Sequence, residues 1–140
     1  MKNGFSLIEV LIFVSVLALF FVVAVAVTTA TLRNMQVNEH KIIATHYAEE
    51  LSNWLTSQKE EDWNTFVNYA SSTPYCFKSL NWPASPAACS ATDQIAGTIY
   101  TRQATVDGDT TQMKASITVS WSEGGNKYSV PINTVYQLWE

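Results

Sequence analysis

The stretch that decides the architecture is VLIFVSVLALFFVVAVAV, residues 10–27, in which Ser15 is the only polar residue. A helix that crosses a bilayer needs about 20 predominantly apolar residues, and the apolar segment extends from Leu7 to Leu32. The rest of the 140-residue chain has the composition of a soluble protein, with room for one small domain from residue 33 onward. We therefore expect one membrane-spanning helix followed by a head with a thin hydrophobic core.

The positions of glycine and proline divide the chain into a helical half and a strand-rich half. Neither residue occurs between Gly4 and Pro74, and the remaining prolines and glycines all follow. Because these residues are the strongest helix breakers, one helix is predicted from Phe5 to Thr56. Beyond Arg33 its apolar residues recur at spacings of three and four, which predicts a buried stripe of Met35, Ile42, Ile43, Tyr47, Leu51, Trp54 and Leu55. The opposite, solvated face is formed by Asn38, Lys41, Thr45, Glu49, Ser52 and Thr56.

A short second helix and an irregular loop are predicted next. Asp62 is a candidate N-cap, and the buried side of this helix is formed by Trp63, Phe66, Val67 and Ala70. The polar run at residues 71–74, which ends in proline, terminates it. Residues 75–96 carry no periodic pattern and read as a loop.

Three strands with clear turn signals complete the chain. Residues 98–106 lead into the hairpin sequence Asp-Gly-Asp at 107–109. The next strand alternates apolar and polar residues, with Met113, Ala115, Ile117, Val119 and Trp121 on its inner face. A turn at 123–126 leads to a third strand with Tyr128, Val130 and Ile132 inward and Pro131 outward, as an edge strand tolerates. The fold class is therefore α+β, with a long N-terminal helix packed on a small antiparallel sheet of three to four strands.

The two cysteines, Cys76 and Cys89, bracket most of the loop. In an exported small domain this pair predicts one disulfide, which would close a loop of about 14 residues and stabilise the head by about 3 kcal/mol. The alternative is a pair of reduced thiols in a cytosolic fold. A redox or metal role is not indicated, because CxxC spacing is absent.

Charge and side-chain spacing argue against several function classes. The net charge is −4 and no basic cluster is evident, so we expect no nucleic-acid partner. We expect no catalytic activity, since no nucleophile, base and orienting group occur at workable spacing, and no cofactor. His46 and Glu50 share a helix face but provide too few ligands for a metal. Asp107 and Asp109 flank a glycine, as in a calcium loop, but a hairpin turn explains both.

Four interpretations compete for the N-terminus. A secretory signal peptide would use Lys2 and a cleavage site near residues 24–26, but the apolar run exceeds the usual 7–15 residues. A plain membrane anchor has the right length and gives no reason for Glu9, a charge that costs about 2.5–3.5 kcal/mol inside a membrane. A lipoprotein would need an N-terminal cysteine, which is absent.

The fourth interpretation rests on the motif Gly4-Phe5-Ser6-Leu7-Ile8-Glu9-Val10-Leu11-Ile12 after a short basic leader. It resembles the prepilin signature of type IV pilins and of type II secretion pseudopilins. The resemblance implies cleavage between Gly4 and Phe5 by a prepilin peptidase and N-methylation of Phe5. It also implies that Glu9 pairs with the Phe5 amine of a neighbouring subunit, which offsets the cost of burying each charge.

The C-terminal half carries a looser resemblance, to V-type minor pilins and I-type minor pseudopilins. It rests on Arg102, on the segment VSWSEGG at 119–125, on residues 130–139, and on Ala-Glu-Glu-Leu at 48–51. Many major pilins carry a proline in the transmembrane helix where Ala26 stands here. That departure favours a minor subunit.

These observations define an expected domain organisation and function. Residues 1–4 are the leader, 5–32 the transmembrane and filament-core helix, and 33–140 the head, divided into a helix half at 33–57, a disulfide loop at 75–96 and a sheet at 97–139. The resemblance implies a minor pilin that assembles into or primes a type IV pilus. Its partners would be other pilin subunits, the prepilin peptidase, membrane lipid and an inner-membrane assembly platform.

Two alternatives stay open at the level of sequence. A minor pseudopilin of a type II secretion system would share this fold, and a plain membrane-anchored partner-binding domain belongs to a different class. The expected location is the inner membrane, with a cytoplasmic N-terminus and an external head, followed by a surface pilus or a periplasmic pseudopilus.

Overall fold

The computed structural model describes residues 6–138 and confirms the α+β class. Helix α1 spans Leu7–Glu61 and helix α2 spans Trp63–Val67. Four strands follow: β1 is Ser71–Cys76, β2 is Thr101–Gly108, β3 is Gln112–Glu123 and β4 is Asn126–Gln137. They form one antiparallel sheet in the order β1-β2-β3-β4. The chain divides into two compact units, one ending at Glu39 and one beginning at His40, which we call the head.

Both predicted hairpins are present, and their turns depend on glycine. Gly108 ends β2 with φ 156°, and a Cβ atom there would lie 2.1 Å from the Gln112 carbonyl oxygen, so only glycine fits. Gly124 and Gly125 have φ values of 56° and 80°, which glycine adopts without steric cost. The β2–β3 and β3–β4 registers follow from these two turns.

Strand alternation places the inner face of the sheet as predicted. The inward residues of β3 are all buried, namely Met113, Ala115, Ile117, Val119 and Trp121. On β4, the predicted inward residues Tyr128, Val130 and Ile132 pack against the core and are partly buried. Pro131 is exposed opposite Thr118 on this edge strand, where a missing N–H group is tolerated.

Strand β1 replaces the predicted helix end at residues 71–74. Ser71 pairs with Val106 and Tyr75 with Ala104, and the register shifts between these two pairs. The segment contains Pro74 and no alternating pattern, so local sequence does not indicate a strand. The free edge of β2 provides hydrogen-bonding groups that a neighbouring chain segment can satisfy, and this pairing overrides the local preference.

The helix stripe that faces the sheet differs from the prediction at its N-terminal end. Leu51 and Leu55 are fully buried as expected, but Met35, Ile42 and Ile43 are exposed, with Ile42 at 72%. Ala44 and Ala48 occupy the buried positions instead and belong to the same core as the inner face of the sheet. The predicted polar face is also partly wrong, since Ser52 is half-buried with its hydroxyl 3.3 Å from that of Thr134.

Helix α2 begins at the predicted cap. The Asp62 carboxylate accepts hydrogen bonds from the backbone N–H groups of Asn64 and Thr65. Trp63 and Phe66 are buried as predicted, whereas Ala70 is exposed beyond the end of the helix. The Trp63 indole donates to the Thr110 carbonyl oxygen at 2.7 Å, which joins this short helix to the β2–β3 turn.

Candidate functional site

The N-terminal part of α1 is an apolar surface that nothing in the described chain covers. Every residue from 7 to 32 is exposed. Leu17, the least exposed large apolar residue of this segment, keeps 41% of its surface accessible. The segment is long and apolar enough to cross a membrane, and an apolar surface of this extent needs a lipid or protein partner.

The hydroxyl side chains in this segment are satisfied within the helix. The Ser15 hydroxyl donates to the Leu11 carbonyl oxygen, and the Thr28 hydroxyl donates to that of Ala24, each at 2.8 Å. Because the helix supplies these acceptors itself, these hydroxyls can enter an apolar medium without an unsatisfied donor.

Glu9 lies in the first turn of α1, at the start of the apolar segment. The Ser6 carbonyl oxygen accepts from the Glu9 N–H at 3.0 Å, so this backbone is already helical. The position near a helix N-terminus favours a negative charge. Within residues 6–138 no cation pairs with Glu9. Gly4 and Phe5, the predicted processing residues, lie outside the described residues.

The disulfide is formed, as Cys76 and Cys89 are bonded with their Cα atoms 5.0 Å apart. Asp93 holds the following turn, since its carboxylate accepts from the Ser90 N–H at 2.8 Å and the Ser90 hydroxyl at 2.7 Å. The Lys78 ammonium lies 2.7 Å from the other carboxylate oxygen of Asp93. Hydrogen bonds from Lys78 and Ser90 hold the pKa of this carboxyl well below its ordinary value. The loop is therefore fixed by covalent and polar bonds.

An ion pair in the head joins two residues that lie far apart in the sequence, Glu50 of α1 and Arg102 of β2. Arg102 is 2% exposed, and its Nη1 atom donates to a Glu50 carboxylate oxygen at 2.7 Å. The same nitrogen donates to the Tyr47 carbonyl oxygen at 3.2 Å. Arg102 therefore fastens strand β2 to helix α1. The sequence alone does not predict this pair, because Glu50 and Arg102 are 52 residues apart and the residues next to each of them do not indicate its partner.

Glu50, His46 and Asp109, which were considered as metal ligands, contact other groups of the protein instead. Glu50 pairs with Arg102 rather than acting with His46, whose ring packs on Tyr47. The Asp109 carboxylate accepts from the Thr111 hydroxyl and from two backbone N–H groups of the hairpin turn. These bonds lower the pKa of Asp109. In the described part of the chain, no three His, Cys, Asp or Glu side chains lie together as metal ligands.

Trp82 of the cysteine loop belongs to an aromatic cluster. Its ring stacks on Tyr69 at a centroid distance of 3.8 Å and also contacts Trp54 and Phe77. Its indole nitrogen donates to the Gln58 side-chain oxygen at 3.1 Å. The side chain is half-buried, which favours packing over an exposed contact.

The structure thus brings together the cysteine pair and joins Glu50 to Arg102, while the N-terminal segment with Glu9 stands exposed.

No family model, curated protein or solved structure matches this chain.

Proposed function

We propose that this chain is a minor pilin of a type IV pilus. It is cleaved after Gly4, methylated at Phe5, held in the inner membrane by its N-terminal helix, and assembled with other subunits through that helix. The observation that carries the proposal is the apolar segment of α1, which is exposed at every position, bears Glu9 near its start and continues as the same helix into the head.

Glu9 distinguishes a filament subunit from a plain anchor. Lipid satisfies the apolar side chains around it but offers no partner for a carboxylate in the hydrocarbon core. A bundle of identical or related helices provides both an apolar surface and the Phe5 amine of a neighbour. That pairing offsets two costly charges at once and defines the axial position of the incoming subunit.

The head suits the outer side of the membrane. Its disulfide belongs to an oxidising compartment, and the single basic residue of the leader, Lys2, marks the cytoplasmic end of the helix. The head is stabilised by its own core, disulfide and ion pair, so it keeps its structure both before and after assembly.

The test replaces Glu9 with leucine in the full-length, tagged protein. The substitution makes the segment more apolar, so membrane insertion is maintained. The intact masses of the unaltered protein and of Glu9→Leu should both correspond to a chain that starts at a methylated Phe5. The fraction in sheared surface filaments should fall at least tenfold, since leaving the neighbouring amine unpaired costs about 3–5 kcal/mol.

Glu60→Leu is the matched control, since Glu60 is an exposed carboxylate near the other end of the same helix. It should enter filaments as the unaltered protein does. An intact mass that shows cleavage near residue 26, or none, would refute the pilin assignment. Equal filament fractions for Glu9→Leu and Glu60→Leu would refute the docking role of Glu9. Correct processing without surface filaments, together with periplasmic assembly, would indicate a pseudopilin.

A further inference from the structure

A cavity of about 390 Å³ lies in the head between one end of the sheet and the segment at residues 89–94. Most of its sheet residues lie on the face turned away from α1, namely Thr101, Ser120, Ser122 and Lys127, and the buried Trp121 also lines it. The volume falls within the range of small-molecule sites. Its polar lining residues are Ser90, Gln94, Thr101, Ser120, Ser122 and Lys127.

The wall of this cavity is held in place before any ligand arrives. Cys89 is tied to β1 through the disulfide, and the Asp93 carboxylate binds both the N–H and the hydroxyl group of Ser90. Gln94 forms a β-bridge with Thr101. A cavity whose wall is already ordered binds a ligand without a further entropic cost of closure.

Three polar groups around the cavity are unused. The Thr101 and Ser120 hydroxyls bond to each other at 2.8 Å. In contrast, the Gln94 amide, the Ser122 hydroxyl and the Lys127 ammonium make no side-chain hydrogen bond or ion pair within the described residues. No Asp or Glu lines the cavity, so Lys127 is the charged residue of its lining and favours an anionic ligand.

We propose that this cavity binds an acidic sugar unit, with the carboxylate on Lys127 and the ring hydroxyls on Ser122 and Gln94. A uronic acid carries one carboxylate and several hydroxyls, which matches one ammonium surrounded by hydroxyl and amide groups. Cys89, Ala91, Ile99 and Trp121 also line the cavity, so it offers apolar contact to the carbon faces of the sugar ring as well as polar groups to its hydroxyls. This inference does not depend on the proposed filament role.

The experiment titrates glucuronate into the full-length protein in detergent micelles and follows backbone amide signals by NMR. Signals of Gln94 and Ser122 should shift and saturate with a Kd of about 1–10 mM, the range of a small polar ligand. Glucose, which lacks the carboxylate, should bind at least tenfold more weakly. Lys127→Gln should weaken glucuronate binding about tenfold, and added salt should weaken it for the unaltered protein.

Lys114→Gln is the matched control, because Lys114 is an exposed lysine on the same face of β3 but outside this cavity. It should leave the Kd unchanged. Ser122→Ala provides a second test with an expected loss of about threefold, should Lys127→Gln disturb the fold. The proposal is overturned if no signal saturates by about 50 mM, if glucose binds equally well, if both lysine variants behave alike, or if an acetylated dipeptide with a free carboxylate binds more tightly than glucuronate.

Discussion

The ion pair between Arg102 and Glu50 provides the sharpest test of how the head is held together. The guanidinium is almost fully buried, whereas the Glu50 side chain is 42% exposed. Replacing Glu50 with alanine leaves a buried cation with the Tyr47 carbonyl oxygen as its remaining acceptor. Breaking a fully buried pair in this way costs about 3–5 kcal/mol.

The exposure of Glu50 reduces this cost, because water can reach part of the vacated site. We therefore expect Glu50→Ala to lower the free energy of unfolding by about 2–3 kcal/mol. For a head of this size, that loss lowers the Tm by roughly 10–20 °C. The assay is thermal unfolding of the full-length protein in detergent micelles, followed by tryptophan fluorescence.

Two further variants make the test specific. Glu49→Ala makes the same substitution at the adjacent, exposed helix position and should change stability by less than about 0.5 kcal/mol. Arg102→Met in the Glu50→Ala background removes the unpaired cation and should restore part of the lost stability. The reasoning is refuted if Glu50→Ala and Glu49→Ala unfold at the same temperature, or if the double variant shows only the sum of its single losses.

Two other predictions concern the cysteine loop. Replacing both Cys76 and Cys89 with serine should lower stability by about 3 kcal/mol, the entropy of closing a loop of about 14 residues; an unchanged denaturant midpoint would contradict this. Asp93→Asn should make the head less sensitive to acid. Because the folded pKa of Asp93 is lowered, its stabilising contribution is present above the ordinary pKa of about 3.9 and is lost as the pH falls below it. Denaturant midpoints at pH 5 and pH 3 should therefore differ more for the unaltered protein than for Asp93→Asn, and equal differences would argue against the stabilising role of the bonds from Lys78 and Ser90.

The features that neighbouring residues determine are the ones predicted correctly from the sequence. The long helix follows from the absence of glycine and proline up to Pro74, and the Asp62 cap needs only residues within one turn. The two hairpins depend on glycines at 108, 124 and 125, whose backbone conformations are local properties. These features require no knowledge of distant parts of the chain.

The predictions that were wrong concern contacts between segments that lie far apart in the sequence. Periodicity assigns Ile42 to the buried stripe, but the helix face that meets the sheet carries Ala44 and Ala48, and Ile42 is exposed. Strand β1 forms because β2 has a free edge, although its own sequence, with Pro74, favours no strand. Neither the burial of these alanines nor the formation of β1 can be predicted from the neighbouring residues alone.

Local sequence patterns are sufficient to predict the division into an apolar helix and a small α+β head, the two hairpins, and the pair of cysteines available for a disulfide. The folded chain is needed to identify the partner of Arg102, the fourth strand, and the convergence of Gln94, Ser122 and Lys127 around one cavity. This difference follows from the range over which the interactions act. Turns, caps and helix breakers act between neighbours along the chain, whereas burial, ion pairing and strand pairing depend on which segments meet after folding.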